Sequence, residues 1–392
     1  MRLSLWLAPL CAFAALSVPA AAGTLHQPPA QPASRLLLGP AGGHAQSSVV
    51  PEDVRAAAFA YRAQHPLRFP AGRTGDAIGQ IPPTLSSWLT DNGGFIWHLN
   101  AAGNLSPPAQ TPITSCAAPL GAKVDRHKNL WAVCNGTSTI NMYAAPVTLA
   151  SPVNTILQDT GASGVTFAPI DVAVDHNGDV FATNRCGASG CGSAGQISFW
   201  TAAQVNTCFT SGNNPAMCGP SGLIYDPLIY QAYFLDVNQN GTDLFVDYFD
   251  STNTAGLDEI ASPLGTPAIT NLIPANPIPF AYPGGVEVSR FTPGNRRLTL
   301  VDQSSRAVYQ LGLPPGTFPG AFWTSIATAS PNCRPVSGGY GMQSKHLGLG
   351  DARCFAADVG LNMNTGSPGW TQHASSSYTL PIADVYLPSD KI

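Results

Sequence analysis

The feature that most constrains this chain is a unit of short strands that returns roughly every 50 residues. Its clearest copy is Pro169 to Trp200, PIDVAVDHNGDVFATNRCGASGCGSAGQISFW. Ile170 to Asp175 alternates apolar and polar residues, and His176-Asn177-Gly178 is a tight turn whose Gly accepts φ > 0. Val180 to Asn184 reads as a second strand, and Gln196 to Trp200 follows a Gly-rich loop as a third. The second strand can be tracked by a large apolar residue, two residues of mixed type, and often a turn-forming polar one. Its copies are Trp88-Leu89-Thr90-Asp91, Trp131-Ala132-Val133-Cys134, Phe181-Ala182-Thr183-Asn184, Phe245-Val246-Asp247-Tyr248, Thr299-Leu300-Val301-Asp302 and Phe355-Ala356-Ala357-Asp358. Third strands are expected at Phe95 to Trp97, Ile140 to Tyr143, Ile197 to Trp200, Leu257 to Ile260, Ala307 to Gln310 and Ile382 to Tyr386.

No unit of three or four strands buries both of its faces alone, so each sheet must pack against its neighbours. Six copies at this spacing predict an all-β, six-bladed β-propeller over residues 85–392. The motif Pro-x-x-Val-Ala-Val-Asp-x-x-Gly-x-(Val/Leu)-(Phe/Tyr)-(Val/Ala)-x-Asn/Asp resembles the NHL repeat and related six-bladed propellers of the gluconolactonase and lyase type. Pro169 to Asn184 matches it closely, and Lys123 to Cys134, Phe234 to Tyr248 and Gly284 to Asp302 more loosely. The resemblance implies the fold. It leaves function open, because such propellers host lactonases, lyases and pure binding modules. Unit one begins at its second strand, so the segment from Val49 to Pro83 is expected to supply strands that close the ring.

Ahead of the repeat, residues 1–22 pair Arg2 with an apolar run and end in Ala20-Ala21-Ala22, the pattern of a signal peptide. Residues 23–50 form a Pro- and Ala-rich leader. Pro51-Glu52-Asp53 then opens a helical pattern, with Val54, Ala57, Ala58 and Tyr61 on one face, so 51–84 is a short helical and irregular extension. No later run is long enough to span a bilayer. The expected location is secreted or periplasmic, and the expected state a monomer. A net charge of −4, with 10% charged residues, offers no basic footprint for nucleic acid.

Besides Cys11 in the signal segment, eight cysteines remain, an even number that favours disulfides in an exported chain. They fall in couples along the repeat, and the simplest pairing is Cys116–Cys134, Cys186–Cys191, Cys208–Cys218 and Cys333–Cys354. A zinc site would need CxxC pairs or His at ligand spacing, and neither is present.

Two constellations bear on chemistry. Asp236, Asn238 and Asn240, with Asp247 further on, match part of an EF-hand calcium loop. The competing reading is a β-hairpin turning at Asn240-Gly241. Calcium or another divalent metal is the only cofactor these residues suggest. The column Asp91, Asn184, Asp302 and Asp358 reads as structural, closing turns through side-chain hydrogen bonds. Asp171 and Glu287 lie on inner strands, but no pattern carries a metal-ligand set over from the resembling enzymes. The second constellation is a binding face on the side of the ring that holds the loops between strands two and three. Arg185, in a loop with a possible 186–191 staple, and Trp370, His373 and Tyr378, in a loop from Val359 to Pro381, are its candidates, with Asp171 and His346 opening onto it. The sequence therefore reads as an exported propeller that binds a glycan, peptide or protein ligand. The alternative is a divalent-metal-dependent lactonase or lyase with its site at the central channel.

Overall fold

The computed structural model describes residues 87–91, 93–99, 105, 111–125, 127–159, 168–185, 196–238, 241–273, 280–288, 296–303 and 307–309, and beyond these the backbone of strands up to residue 386. The strands pair into six antiparallel sheets, and four of these have four strands in simple meander order. Sheet II runs Pro119–Val124, Leu130–Cys134, Thr139–Tyr143, Thr155–Gln158. Sheet III runs Pro169–Val174, Val180–Asn184, Gln196–Trp200, Gly222–Ile224, and sheet IV Gln231–Val237, Asp243–Phe249, Ala255–Ala261, Ala268–Asn271. Sheet V runs Pro283–Val288, Arg296–Asp302, Ala307–Leu313, Phe322–Ser325. Sheet VI holds His346–Asp351, Ala356–Leu361 and Gly369–Ala374, with Pro335–Val336 and Tyr340–Gly341 against its first strand. Inner strands of sheets I to V pack side by side in succession, and that of sheet VI packs against that of sheet I, an arrangement around a central axis that makes the molecule a β-propeller.

Sheet I corrects one expectation. Its strands are Phe95–Leu99, Ser87–Asp91 and Ile382–Tyr386, with Trp88 opposite Tyr386 and Leu89 opposite Val385. Ile382–Tyr386 is therefore the inner strand of the first sheet and not the third strand of the sixth. That place belongs to Gly369–Ala374, which pairs with Ala356–Leu361. The ring is joined through this late strand, while residues 1–84, with the signal, leader and closure segments expected there, lie outside the described residues.

Apolar side chains fill the spaces between sheets. Leu120, Val133, Ile170, Val172, Val180, Phe234, Phe245, Val286 and Leu300 are buried in one continuous core. Strands one and two of sheets II to IV are buried at almost every position, because blades cover them on both sides. Fourth strands lie at the rim, and every residue of Ala268–Asn271 is exposed or half-buried.

The described residues contain the disulfides Cys116–Cys134 and Cys208–Cys218, and the proposed 186–191 and 333–354 pairs lie outside them. Cys208 belongs to a helix, Ala202–Thr210, that the strand periodicity did not signal; Thr201 caps its N-terminus by accepting from Gln204 N. The helix and the turn after it lie along the outer edge of sheet II. Asn213 accepts from Ile156 N and donates to Asn154 O, and Gln158 N donates to Cys218 O. A bare strand edge invites pairing with other chains, and this insert covers one. Replacing Cys208 and Cys218 together by Ser is expected to cost about 2–3 kcal/mol in urea unfolding. It should also raise aggregation on heating; a variant that matched the parent in both would show that the staple does not hold the cover.

Candidate functional site

The site begins with how blades are tied near the axis. The pairing of strands one and two shifts register between Pro119 and Ala122, Pro169 and Val172, Ala232 and Leu235, and Pro283 and Gly285. Such shifts release backbone groups that need new partners. Polar side chains at the third position of the second-strand tetrapeptide supply them. Thr90 donates to Leu120 O in sheet II, and Thr183 accepts from Asp171 N (3.1 Å) and donates to Tyr233 O in sheet IV (2.5 Å). Asp247 accepts from Phe234 N at 2.7 Å and from Gly285 N of sheet V at 3.0 Å. Asp171 continues the pattern, accepting from Val172 N and from Leu235 N of sheet IV. It fits only because Gly121 lies beside it, where a Cβ would come within 2.0 Å of Asp171 Oδ1.

Across the axis, Lys123 Nζ lies 3.1 Å from Glu287 Oε2, and both side chains are buried, 6% and 3% exposed. Lys123 stands on the inner strand of sheet II and Glu287 on that of sheet V, so the pair reaches from one side of the ring to the other. Asp236 occupies the corresponding register in sheet IV, and its Oδ2 accepts from Val288 N of sheet V at 2.7 Å. This arrangement does not fit a divalent cation. An ammonium already neutralises Glu287, and oxygens of Asp171, Asp236 and Asp247 accept backbone N–H groups. Among the described residues no group of three His, Cys, Asp or Glu side chains could hold a metal.

The described hydrogen bonds of Asn238 are those of the hairpin that competes with the EF-hand reading. Asp236 faces the next blade, whereas Asn238 shapes its own hairpin, accepting from Thr242 N and Asp243 N. Two residues that point apart do not form one cation cage. Asn240 lies outside the described residues. Asp125 and Asp175 perform the same turn-forming task in sheets II and III, each accepting from backbone N–H groups two and four residues on. In the end-of-strand column, Asp91 accepts from Trp97 Nε1 at 2.6 Å and Asp302 from Ala281 N at 2.9 Å, so these two side chains have structural partners.

Of the face residues, Arg185 and Asp171, both from sheet III, come together against one stretch of sheet IV, and Asp171 is buried there rather than opening onto the face. Arg185 is 6% exposed and stacks over the Tyr233 ring at 5.6 Å, while Asp171 holds Leu235 N two residues away. Tyr233 packs edge-on against Phe249 (5.5 Å) and Tyr282 (6.1 Å), so an aromatic cluster spans sheets IV and V beneath the guanidinium. Sequence reasoning missed this cluster. Trp370 and His373 are not on a loop: they lie within the strand Gly369–Ala374, opposite Gly360 and Ala357. His346 starts the neighbouring first strand, opposite Leu361, so it shares the Trp370 end of sheet VI. Tyr378 lies outside the described residues.

One long segment that contributes to the site carries charge of a single sign. Residues 186–289 hold eight Asp and Glu and no Lys, Arg or His. Where no cation is at hand, burial pushes carboxyl groups toward the protonated form. Burial holds Asp247 well above the usual carboxylate range, against the backbone N–H groups that favour its charge. Asp159, between sheets II and III, is pushed up to about 7 by burial.

No family model matches this chain, and no curated protein matches it. Among solved structures, a chain of a nidogen/laminin complex superposes with a TM-score of 0.54 at 11% identity, over 77% of this chain and 97% of that one. A streptogramin B lyase gives 0.48 at 14% identity over 79% and 87%. A gluconolactonase from Xanthomonas campestris gives 0.46 at 15% over 67% and 78%. At these identities the likeness extends to the β-propeller fold and no further.

Proposed function

We propose that this chain is an exported binding or scaffold propeller that docks a partner on the end of the ring where second strands finish. The observation that carries this reading is the Lys123–Glu287 pair. It makes the axis a brace rather than a reaction chamber, and with the backbone-bound acids around it the channel offers poor support for the lactonase or lyase alternative. The favoured partner is a protein or peptide, with a glycan as the other class. The likeness to a chain from a nidogen/laminin complex, an assembly of proteins, supports that order. Disulfides, and the absence among the described residues of a helix able to cross a membrane, suit a secreted or periplasmic setting.

The test is a screen of the whole protein against a glycan array and a displayed peptide library, followed by titration of any hit. Trp370→Ala and Arg185→Ala are expected to weaken binding at least tenfold. His176→Ala, on an exposed hairpin at the other end of sheet III, should leave it unchanged. Circular dichroism checks that the Arg185 variant is folded. Loss of binding only in the His176 variant would put the site on the wrong end. Stoichiometric metal with EDTA-sensitive lactone turnover would replace this reading with the enzymatic one.

A further inference from the structure

We propose that Asp226 and Asp258 form a proton-held clasp that fastens the connection between sheets III and IV and loosens as pH rises. Asp226 lies in that connection and Asp258 on the third strand of sheet IV, and both are buried, 1% and 0% exposed. Asp226 Oδ1 accepts from Leu228 N at 2.9 Å, and its carbonyl accepts from Ile229 N at 3.2 Å, so the carboxyl and the turn it organises move as one body. Asp258 Oδ1 accepts from the Tyr248 hydroxyl at 3.1 Å, which itself accepts from Asn271 Nδ2 at 3.2 Å. That leaves Asp226 Oδ2 and Asp258 Oδ2, both buried and without any N–H or O–H donor. The two side chains are in hydrogen-bonding contact with each other. Two carboxyl oxygens can bond only if a proton lies between them.

The titratable groups acting on Asp258 are Asp226 and Tyr248, with Asp250 acting in turn on Tyr248, none of them cationic, and Lys, Arg and His are absent from residues 186–289. Burial, then the hydrogen bond and charge of Asp226, push the Asp258 carboxyl up to about 8. A carboxyl raised from 3.8 to about 8 binds its proton more tightly in the closed form. The clasp is therefore tightest below the lower value and weakens as pH climbs toward the upper one, by at most about tenfold per unit. The segment it holds presents Tyr225 and Leu228, 59% and 48% exposed, on either side of the buried Asp226. Release would change the shape of this uncharged apolar rim.

Hydrogen exchange of the full-length protein, read by mass spectrometry and corrected for intrinsic exchange at each pH, tests the proposal. Between pH 5.5 and 8, protection of a peptide covering 222–232 is expected to fall at least tenfold further in the parent than in Asp258→Asn. The amide in that variant supplies the missing donor without a titrating proton. Asp226→Asn should behave likewise and serves if the first variant does not fold. An equal fall in parent and variants would overturn the proposal. So would recovery of the parent's protection at pH 8 on adding millimolar calcium, reversed by EDTA, because the pair would then hold a cation and not a proton.

Discussion

Replacing Lys123 by Met is expected to destabilise the ring by about 3–5 kcal/mol, because Glu287 would be left charged and buried with its counter-ion removed. Glu287→Leu should cost a similar amount by stranding the ammonium. The double variant Lys123→Met/Glu287→Leu should recover most of the loss, since a well-packed apolar pair often equals a buried ion pair. Urea unfolding of the three variants reads this directly. If Lys123→Met moved the free energy by less than about 1 kcal/mol, the figure for an exposed pair, the brace across the axis would not exist.

The second large effect is on pH. Asp159, Ser198 and Asn184 close a buried circuit between sheets II and III: Ser198 Oγ lies 2.6 Å from Asp159 Oδ1, and the Asn184 amide places its nitrogen 2.5 Å from Asp159 Oδ2 and its oxygen 2.7 Å from Ser198 Oγ. The serine hydroxyl has one proton and two acceptors before it. A proton on Asp159 completes the circuit, since Asp159 then donates to Ser198 and Ser198 to Asn184. Burial raising Asp159 from 3.8 to about 7 agrees with this count. The folded state thus binds this proton more tightly than the unfolded chain. Stability should fall as pH rises from about 4 to about 7 and then level off. Asp247, also raised by burial, acts in the same direction. Asp159→Asn should match the parent near pH 4, exceed its stability at pH 8, and flatten part of the slope. A parent equally stable at both pH values, or a variant weaker than the parent at pH 8, would contradict the protonated circuit.

Much of the fold could be read from the chain because second and third strands carry a strong signal. Phe181-Ala182-Thr183-Asn184 and Phe245-Val246-Asp247-Tyr248 fall within Val180–Asn184 and Asp243–Phe249, and Cys116–Cys134 and Cys208–Cys218 pair as the cysteine grouping implied. The fourth strand Ala268–Asn271 left no pattern because every residue of it is exposed or half-buried, and Thr155–Gln158, which does alternate, is too short a run to stand out. The role of Ile382–Tyr386 was misassigned for a different reason. Its alternation fits any half-covered strand, and pairing across the length of the chain leaves no local mark. The candidate site was less legible still. Thr183 and Asp247 were in view as members of the tetrapeptide, yet their work is on the neighbouring blade, as is that of Asp171. Lys123 and Glu287 are separated by 164 positions, and only the closed ring makes them neighbours.

The pairing of Ser87–Asp91 with Ile382–Tyr386 also sets a timetable for synthesis. When Ser87–Leu99 leaves the ribosome, its inner partner has not been made, and an isolated two-stranded hairpin is marginal in water. Sheets II to V can assemble as they emerge, but the nascent solenoid has one unfinished flank until residues 382–386 arrive. Cooperative folding must wait for a contact of very large sequence separation, the kind that slows folding most. During that wait the growing chain remains pliable and vulnerable to misassembly with a neighbour's open flank.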